Sequence, residues 1–316
     1  MTLLAFEAAS RPTTPAGLRV GLLDLAWAEP PRSHASVIHD LVELAPLAES
    51  LGFERYWLAE HHSPWVAHAS PELLLPLLAG LTTRLRVGTA GVLLGYYSPY
   101  KVAANFRLLE ALFPGRIDLG IARGRPDGNI GPALLDGRLE PGDTNAHAAR
   151  LDELLLALHQ ATASSPSPIG VRPPQVWLLG SGRESVRVAA QRGTAFSLAL
   201  FFRQWVGPAV LDEYRADFTA LSGLAEPRAN IAVAGACGET HAEARRILAR
   251  YHNDFMLPTV VGSADECAAQ LHELAYRYRV DEVMFMDAAS GLAQRRQTCA
   301  LLSEALHLQP TASAAA

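Results

Sequence analysis

Lysine is almost absent from this chain of 316 residues. Of its 27 basic residues, all but Lys101 are arginine. Enzymes that work through a Schiff base need a lysine amine as their nucleophile, and Lys101 lies in SPYKVAANF, a pattern typical of a helix start. The sequence therefore argues against Schiff-base aldolases and pyridoxal-dependent enzymes.

Cysteine and positive charge are also scarce. The three cysteines, Cys237, Cys267 and Cys299, are scattered, which is typical of neither a disulfide framework nor a metal cluster and fits a reducing cytoplasm. The net charge of −5, without a basic stripe, argues against a nucleic-acid partner.

No apolar run has the length of a membrane span, and the first residues lack the pattern of a secretory signal. We expect a cytoplasmic protein that binds neither nucleic acid nor membrane.

Several motifs that mark other enzyme classes are missing. There is no G-x-G-x-x-G after the first apolar run, no G-x-S-x-G and no H-E-x-x-H, which argues against dinucleotide-binding sheets, serine hydrolases and zinc proteases. His61 and His62 are adjacent, so on a strand they point apart and cannot easily share one metal ion. The acids Asp24, Glu60 and Glu239 show no spacing that pairs them for glycoside hydrolysis. We predict no metal site.

Apolar runs typical of buried strands alternate with helical patterns along the chain. RVGLLDLA (19–26) is the first of eight such runs, RLRVGTAGVLL (84–94) is the third and DEVMFMDAA is the last. We expect loops at 125–145 and 251–262. Alternation of this kind at this length favours a closed parallel barrel over an open sheet. We predict an α/β protein with one barrel domain over residues 19–308, a flexible lead at 1–18 and a disordered tail at 309–316. In such barrels the chemistry lies at the carboxyl ends of the strands.

Two of these strand ends carry candidate functional residues. YWLAEHH (56–62) ends in Glu60, His61 and His62; we expect Glu60 to pair with an arginine and His62 to be either a site residue or a packing histidine. LLGSGRES places small residues at a strand-to-helix turn, where free backbone N–H groups favour an anion such as phosphate. A Gly-Ser turn is also a common plain connection, so this pattern alone leaves both readings open.

Three segments together resemble the bacterial luciferase-like flavin monooxygenase family. They are WLAEHH, RVGTAGVLLGYYSPYKVAANFRLLEALFPGRIDLGIARG and PPQVWLLGSGRESVRVAAQRG, and the similarity extends from about residue 19 to residue 200. The resemblance implies a (β/α)8 TIM barrel, usually dimeric, that takes reduced FMN from a separate flavin reductase. It also implies that O2 adds at the flavin C4a and that a small organic substrate is then oxidised.

The resemblance further assigns site residues by motif. The first histidine of E-H-H, His61, corresponds to the catalytic histidine. The positions that correspond to cofactor-binding residues are Ala90 and Gly91 (joined by a cis peptide), Ala122 beside the reacting edge of the flavin, Arg123 at its phosphate, and Ser181, Gly182 and Ser185 in the phosphate turn. Trp27, Trp65 and Tyr96 are candidates for the ring pocket.

This sequence also departs from the family pattern. Ala104 replaces a carboxylate, and Gly182 stands where a second serine is usual, so light emission is not expected. Two alternatives remain open: an F420-dependent oxidoreductase of the same fold, and a non-catalytic flavin-binding barrel. Arg183 and Arg187 are the only basic residues close to the turn in sequence, which favours FMN. The helices in PELLLPLLAGL and YKVAANFRLLEALF are apolar over more than one face, and we expect them to form the centre of a homodimer.

Overall fold

The computed structural model describes residues 17–126, 129–136, 144–202, 206–251 and 257–310. Its strands are β1 Arg19–Asp24, β2 Arg55–Leu58, β3 Arg86–Thr89, β4 Val92–Leu93, β5 Ile117–Ala122, β6 Gln175–Gly180, β7 Ala195–Ala199, β8 Ala229–Gly238, β9 Pro258–Ser263 and β10 Glu282–Asp287. Its α-helices are α1 His34–Ser50, α2 Leu75–Gly80, α3 Pro99–Leu112, α4 Ile130–Leu135, α5 Thr144–His159, α6 Arg183–Arg192, α7 Ala209–Ala216, α8 His241–Ala249, α9 Ala264–Tyr278 and α10 Leu292–Ala305.

These strands form a closed parallel barrel. Their order is β10-β1-β2-β3-β5-β6-β7-β8, and pairing of β10 with β8 closes the ring. The predicted (β/α)8 barrel is therefore confirmed. Most of the predicted lead and tail, residues 1–16 and 311–316, lies outside the described residues.

Two details of the sheet differ from the sequence prediction. The run at 84–94 was expected to be one strand, but it is divided into β3 and β4 at the peptide bond Ala90–Gly91, and β4 pairs with β5. The segment that ends at residue 262 was expected to be a loop, but it contains β9, which pairs with the second half of β8 outside the ring. An apolar run as short as TVVG is ambiguous from periodicity alone.

An ionic network fills the amino-terminal end of the barrel. The buried guanidinium of Arg55 bonds to Asp118 and Glu282 and lies 5.1 Å from the ring centre of Trp177. Burial alone would raise the pKa of Asp118, but the charges of Arg55 and Arg86 outweigh it and lower that pKa to about 2. Buried charges of this kind persist only when they are fully paired. The network closes this end of the barrel and leaves the carboxyl ends of the strands as the open face.

Leucines on two neighbouring helices face outward. Leu77 on α2 and Leu108 and Leu112 on α3 are all more than half exposed. Exposed apolar faces of this kind on a monomer often mark contacts with other proteins. In the part of the chain that the structure describes, no helix is both long and apolar enough to cross a membrane.

Candidate functional site

Glu60 connects three segments at the open face. One carboxylate oxygen accepts a hydrogen bond from the backbone N–H of Leu93 at 2.9 Å. The other accepts from the Tyr97 hydroxyl at 2.6 Å and is 2.8 Å from Nε2 of His62. The expected pairing of Glu60 with an arginine is wrong, because a phenol, an imidazole and a backbone amide take up its oxygens. His62 thus has the contacts of a packing histidine that holds the end of β2 beside β4.

His61 points into solvent at this face and has a second histidine as its neighbour. His61 is exposed, whereas both ring nitrogens of His68 are buried without a hydrogen-bond partner among the described residues. Burial lowers the pKa of His68; nearby Asp24 opposes this effect and His61 adds to it. His68 is therefore neutral at pH 7 beside the predicted catalytic histidine. The sequence analysis missed His68, which follows a two-residue apolar pair in an irregular segment.

The bond between Ala90 and Gly91 is cis, as the family resemblance predicted. Glycine is required here by the approach of neighbouring backbone: a Cβ on Gly91 would lie 2.8 Å from the carbonyl of Gly120. A Cβ on Gly120 would lie 1.9 Å from the carbonyl oxygen of Thr89. Ala90 packs against the apolar cluster inside the barrel. The end of β3, the start of β4 and the end of β5 thus form a tightly packed bed with few side-chain atoms.

The three aromatic residues that were expected around a ring pocket do not lie in one pocket. Tyr96 is buried in a small cluster with Leu93 and Leu135, against which Ala122 also packs. Trp65 is about half exposed. Trp27 is partly buried, with its ring centre 6.2 Å from that of Tyr251. The three rings therefore lie in different surroundings. Trp27 lines a cavity at the open face.

The structure brings together the predicted residues at the ends of β5 and β6. Nη1 of Arg123 lies 3.3 Å from a carboxylate oxygen of Glu184 in the first turn of α6. Gly182 is the N-cap of α6 and provides no side-chain cap. Ser181 and Ser185 flank it, and all three residues are partly exposed. The first turn of α6 thus presents backbone N–H groups and two hydroxyls to the space beside the Arg123 guanidinium.

Close packing shapes this turn. A Cβ on Gly180 would lie 2.5 Å from both Cβ and Oγ of Ser185, whereas a Cβ on Gly182 would meet nothing within 4 Å. The first glycine is therefore needed because Ser185 lies over it. Gly182, in contrast, leaves open space in front of the N-terminus of α6.

A histidine that the sequence analysis missed lies beside this turn. His147, near the start of α5, is 6% exposed, and its Nε2 is buried without a partner among the residues that the structure describes. Burial, together with the charges of Arg123, Arg150 and Arg192, lowers the pKa of His147 to about 4. We call Arg123, His147, Ser181, Gly182 and Ser185 the anion cradle. A guanidinium, a buried imidazole nitrogen and the N–H groups of a helix start together suit an anion with several oxygens.

The described residues of the open face include no cluster of side chains that could bind a metal ion. Within the described ranges there is no group of three or more His, Cys, Asp or Glu side chains arranged to hold a metal ion. His61 and His68 lie near each other, but Asp24, the acid that affects the pKa of His68, is bound to Arg295 and accepts a hydrogen bond from Tyr56 at 2.7 Å. The polar atoms at the open face instead form hydrogen-bonded pairs and the anion cradle.

Comparison with known proteins identifies relatives across most of the chain. The model of the luciferase-like monooxygenase family matches residues 18–284. N-acetyl-S-alkylcysteine monooxygenase of Bacillus subtilis is 32% identical over 277 residues, which are 83% of this chain and 82% of that protein. The crystal structure of apo-MsnO8 superposes with a TM-score of 0.86 at 31% identity and covers 93% of this chain and 100% of that one.

Two more distant structures share the fold. One is the oxygenating constituent of 3,6-diketocamphane monooxygenase from Pseudomonas putida, in complex with FMN, with a TM-score of 0.70 at 18% identity and coverage of 92% and 98%. The other is an F420-dependent secondary alcohol dehydrogenase, with a TM-score of 0.66 at 12% identity and the same coverage. At these levels of sequence identity, the similarity shows a shared barrel fold and nothing more. The family model and the Bacillus relative show that this chain belongs to the luciferase-like monooxygenase family.

Proposed function

We propose that this protein is the oxygenase of a two-component system that uses reduced FMN, supplied by a separate flavin reductase, and O2 to oxidise a small organic substrate. The observation that carries the proposal is the anion cradle. Arg123 reaches the first turn of α6, and Nε2 of His147 is buried beside it without a partner among the described residues. A phosphate monoester satisfies such a set because its several oxygens accept charge-assisted hydrogen bonds from different directions.

The residues present fit FMN at both ends of the molecule. Arg123, His147 and the backbone N–H groups after Gly182 would hold the phosphate, and Ser181 and Ser185 would add hydroxyl donors. The bed at Ala90 and Gly91, which has few side-chain atoms, would lie beside the flavin ring. Reduced FMN, when bound, supplies the two electrons with which one oxygen atom of O2 becomes water while the other enters the substrate.

His61 is the residue that we assign to proton transfer. Its imidazole is exposed at the open face, where substrate and solvent both reach it. The neighbouring His68 is neutral because burial lowers its pKa, so it adds no positive charge that would hinder protonation of His61. Imidazole is the side chain best suited to accept and donate a proton around neutral pH.

Charges near the anion cradle favour FMN over F420. F420 carries its phosphate as a diester with a long acidic tail, which requires a basic groove beyond the turn. Arg183 is paired with Glu213 at 3.2 Å, and Glu184 places a carboxylate at the same turn. These two acids offset the arginines that would receive an acidic tail, whereas a compact monoester reaches Arg123 and His147.

The cofactor assignment is tested by anaerobic titration of the protein with reduced FMN, reduced riboflavin and reduced F420. Reduced FMN is expected to bind most tightly, because only it combines an isoalloxazine ring with a terminal phosphate monoester. Tighter binding of F420 would overturn the assignment in favour of the alternative oxidoreductase. Admission of O2 to the FMN complex in the presence of a substrate then separates an oxygenase, which forms oxidised product, from a barrel that merely binds flavin, which releases the oxygen as hydrogen peroxide.

We also propose that the chain is a cytoplasmic homodimer formed through α2 and α3. The leucines that face outward on these two helices, among them Leu77 and Leu108, are exposed in the single chain. A dimer would remove this surface from water at about 25 cal/mol per Å² of apolar area. The cysteines that the structure describes are all free thiols, which is in keeping with a reducing compartment.

A further inference from the structure

Two adjoining cavities open at the carboxyl ends of β8 and β10, away from the anion cradle. The larger has a volume of about 200 Å³, and we call it the apolar chamber. The smaller, which we call the neck, has a volume of about 30 Å³ and shares Tyr251, Met286 and Ala288 with the chamber. The residues of the chamber that matter here are Ala234, Gly235, Leu248, Tyr251, Met286 and Ala288.

The chamber has an almost wholly apolar lining. Ala234 and Ala288 are small and buried, while Leu248, Tyr251 and Met286 supply larger surfaces around them. An apolar cavity of 150 Å³ in another protein stays dry and binds benzene. The chamber therefore has room for an apolar group of roughly six to eight non-hydrogen atoms.

The neck, in contrast, is lined by charged side chains, most of which are already paired. Arg295 is bound to Asp24, and Arg32 is bound to Asp40. Glu29, which also lines the neck, interacts with another group of the protein. Burial raises the pKa of Asp287 to about 6, so this carboxyl group takes up a proton in mildly acidic solution.

Of the three arginines that line the neck, Arg250 is the one whose guanidinium is unpaired. It follows the last residue of α8 and is exposed, and its guanidinium has no hydrogen bond or ion pair with any residue in the described ranges. The next residue, Tyr251, forms part of the chamber wall. An uncommitted guanidinium thus lies directly beside an apolar cavity, an arrangement that suits a ligand with a carboxylate at one end and an apolar group at the other.

The neck adjoins the segment that follows the candidate catalytic histidine. Trp27 lines the neck, and the residues around it pair with the segment after His61: Ala28 N–H donates to the carbonyl of Trp65 at 2.7 Å. Asp24, also in the neck, is close enough to affect the pKa of His68, whose other charged neighbour is His61. A molecule in the chamber and neck therefore lies on the His61 side of the open face.

We propose that the substrate is a small carboxylate whose apolar part, of roughly six to eight non-hydrogen atoms, fills the chamber while its carboxylate binds Arg250. This inference rests on the proposed function for the identity of the reaction but not for the binding event. Binding to the chamber is measurable without flavin, so a failure of one proposal is distinguishable from a failure of the other.

The test uses phenylacetate, 3-phenylpropanoate and 4-phenylbutyrate together with their three primary amides, titrated by calorimetry into the flavin-free protein. The phenyl ring matches the chamber, and the series varies the distance to Arg250. The acid of the best length is expected to bind about tenfold more tightly than its amide, because a charge-assisted hydrogen bond at a partly exposed site is worth roughly 1 kcal/mol or slightly more. Arg250→Gln should bring the acid to the level of the amide. The matched control Arg246→Gln, one turn earlier on α8, should leave the difference unchanged.

The chamber itself is tested by Ala288→Leu, which fills part of it and should weaken acid and amide alike by about tenfold or more. Leu248→Trp narrows the chamber from a partly exposed position and serves if Ala288→Leu does not fold. Equal affinities of acid and amide at all three lengths in the wild-type protein would overturn the role of Arg250. Unchanged affinities in a folded chamber variant would overturn the assignment of the chamber.

Discussion

Nη1 of Arg123 lies 3.3 Å from a carboxylate oxygen of Glu184, so an ion pair joins the end of β5 to the first turn of α6. Both side chains are about half exposed, and an ion pair at such a position contributes little to stability, about 0–1 kcal/mol. The pair instead holds the guanidinium over the N-terminus of α6 in the absence of an anion. A bound phosphate would compete with Glu184 for Arg123.

Removal of the guanidinium should weaken the binding of reduced FMN. Arg123→Ala deletes one or two charge-assisted hydrogen bonds to the phosphate, each worth about 1.5–3 kcal/mol, so the dissociation constant should rise roughly ten- to a hundredfold. Riboflavin, which has no phosphate, should bind poorly and change little. Anaerobic fluorescence titration of both forms measures this. An equal loss of affinity for FMN and riboflavin would show that Arg123 does not contact the phosphate.

Removal of the competing carboxylate should have the opposite effect. Glu184→Gln keeps the size of the side chain but frees Arg123 and removes a negative charge next to the phosphate, so reduced FMN should bind about two- to fivefold more tightly. Glu213→Gln is a matched control, because Glu213 pairs with Arg183 instead. If Glu184→Gln weakened FMN binding, Glu184 would have to hold Arg123 in place in the complex as well.

The barrel was predictable from the sequence, and most residues of the candidate site were proposed from the family motifs. Buried parallel strands such as β1 and β5 are continuous apolar runs between helical patterns, so their number and order can be read directly. The cis bond at Ala90–Gly91 came with the motif. The strand β9 was missed because its apolar part is only a few residues long.

The contacts of individual polar side chains were not predictable. His147 and His68 lie in an ordinary helix and an irregular segment, and only the three-dimensional structure shows that their nitrogens lack partners among the described residues. Glu60 was expected to pair with arginine because charge is visible in a sequence. Two of its actual partners, a backbone N–H and the Tyr97 hydroxyl, are uncharged and more than thirty residues away, and the third is His62.

His61 should be needed for turnover but not for flavin binding. His61→Ala is expected to lower the rate of product formation by a factor of roughly 10²–10⁴, the usual contribution of general acid–base catalysis. Its affinity for reduced FMN should be unchanged. The assay uses as substrate the carboxylate that binds most tightly in the calorimetric series. His39→Ala is the control, because His39 is an exposed histidine on α1. An unchanged rate of product formation in the His61 variant would remove His61 from the mechanism.

The neutral His147 should make the protein less stable in acid. Burial lowers its folded-state pKa to about 4, whereas the unfolded chain protonates it near 6.5. Between these values the unfolded state binds a proton that the folded state does not, so stability is full above pH 6.5 and falls as the pH drops towards 4. From pH 7 to pH 5 the loss is about 2 kcal/mol.

Urea unfolding at pH 7 and pH 5 measures this loss for the wild type, for His147→Gln and for His39→Gln. The first variant should lose less stability between the two pH values than the wild type, because it has no group to protonate at this position. The second should behave like the wild type, since His39 is exposed. An identical pH dependence in all three proteins would mean that His147 does not stay neutral in the folded state.

The exposed leucines of α2 and α3 should decide the oligomeric state. Leu108→Glu places a charge on the apolar face of α3, so a dimer formed through this face would have to bury an unpaired carboxylate, at a cost of several kcal/mol. We expect the wild type to sediment as a dimer at micromolar concentration and the variant as a folded monomer. Leu221→Glu is the control, because Leu221 is equally exposed but lies outside both helices. If Leu108→Glu remained a dimer, the interface would lie on another face of the barrel, and the fold and the anion cradle would be unaffected.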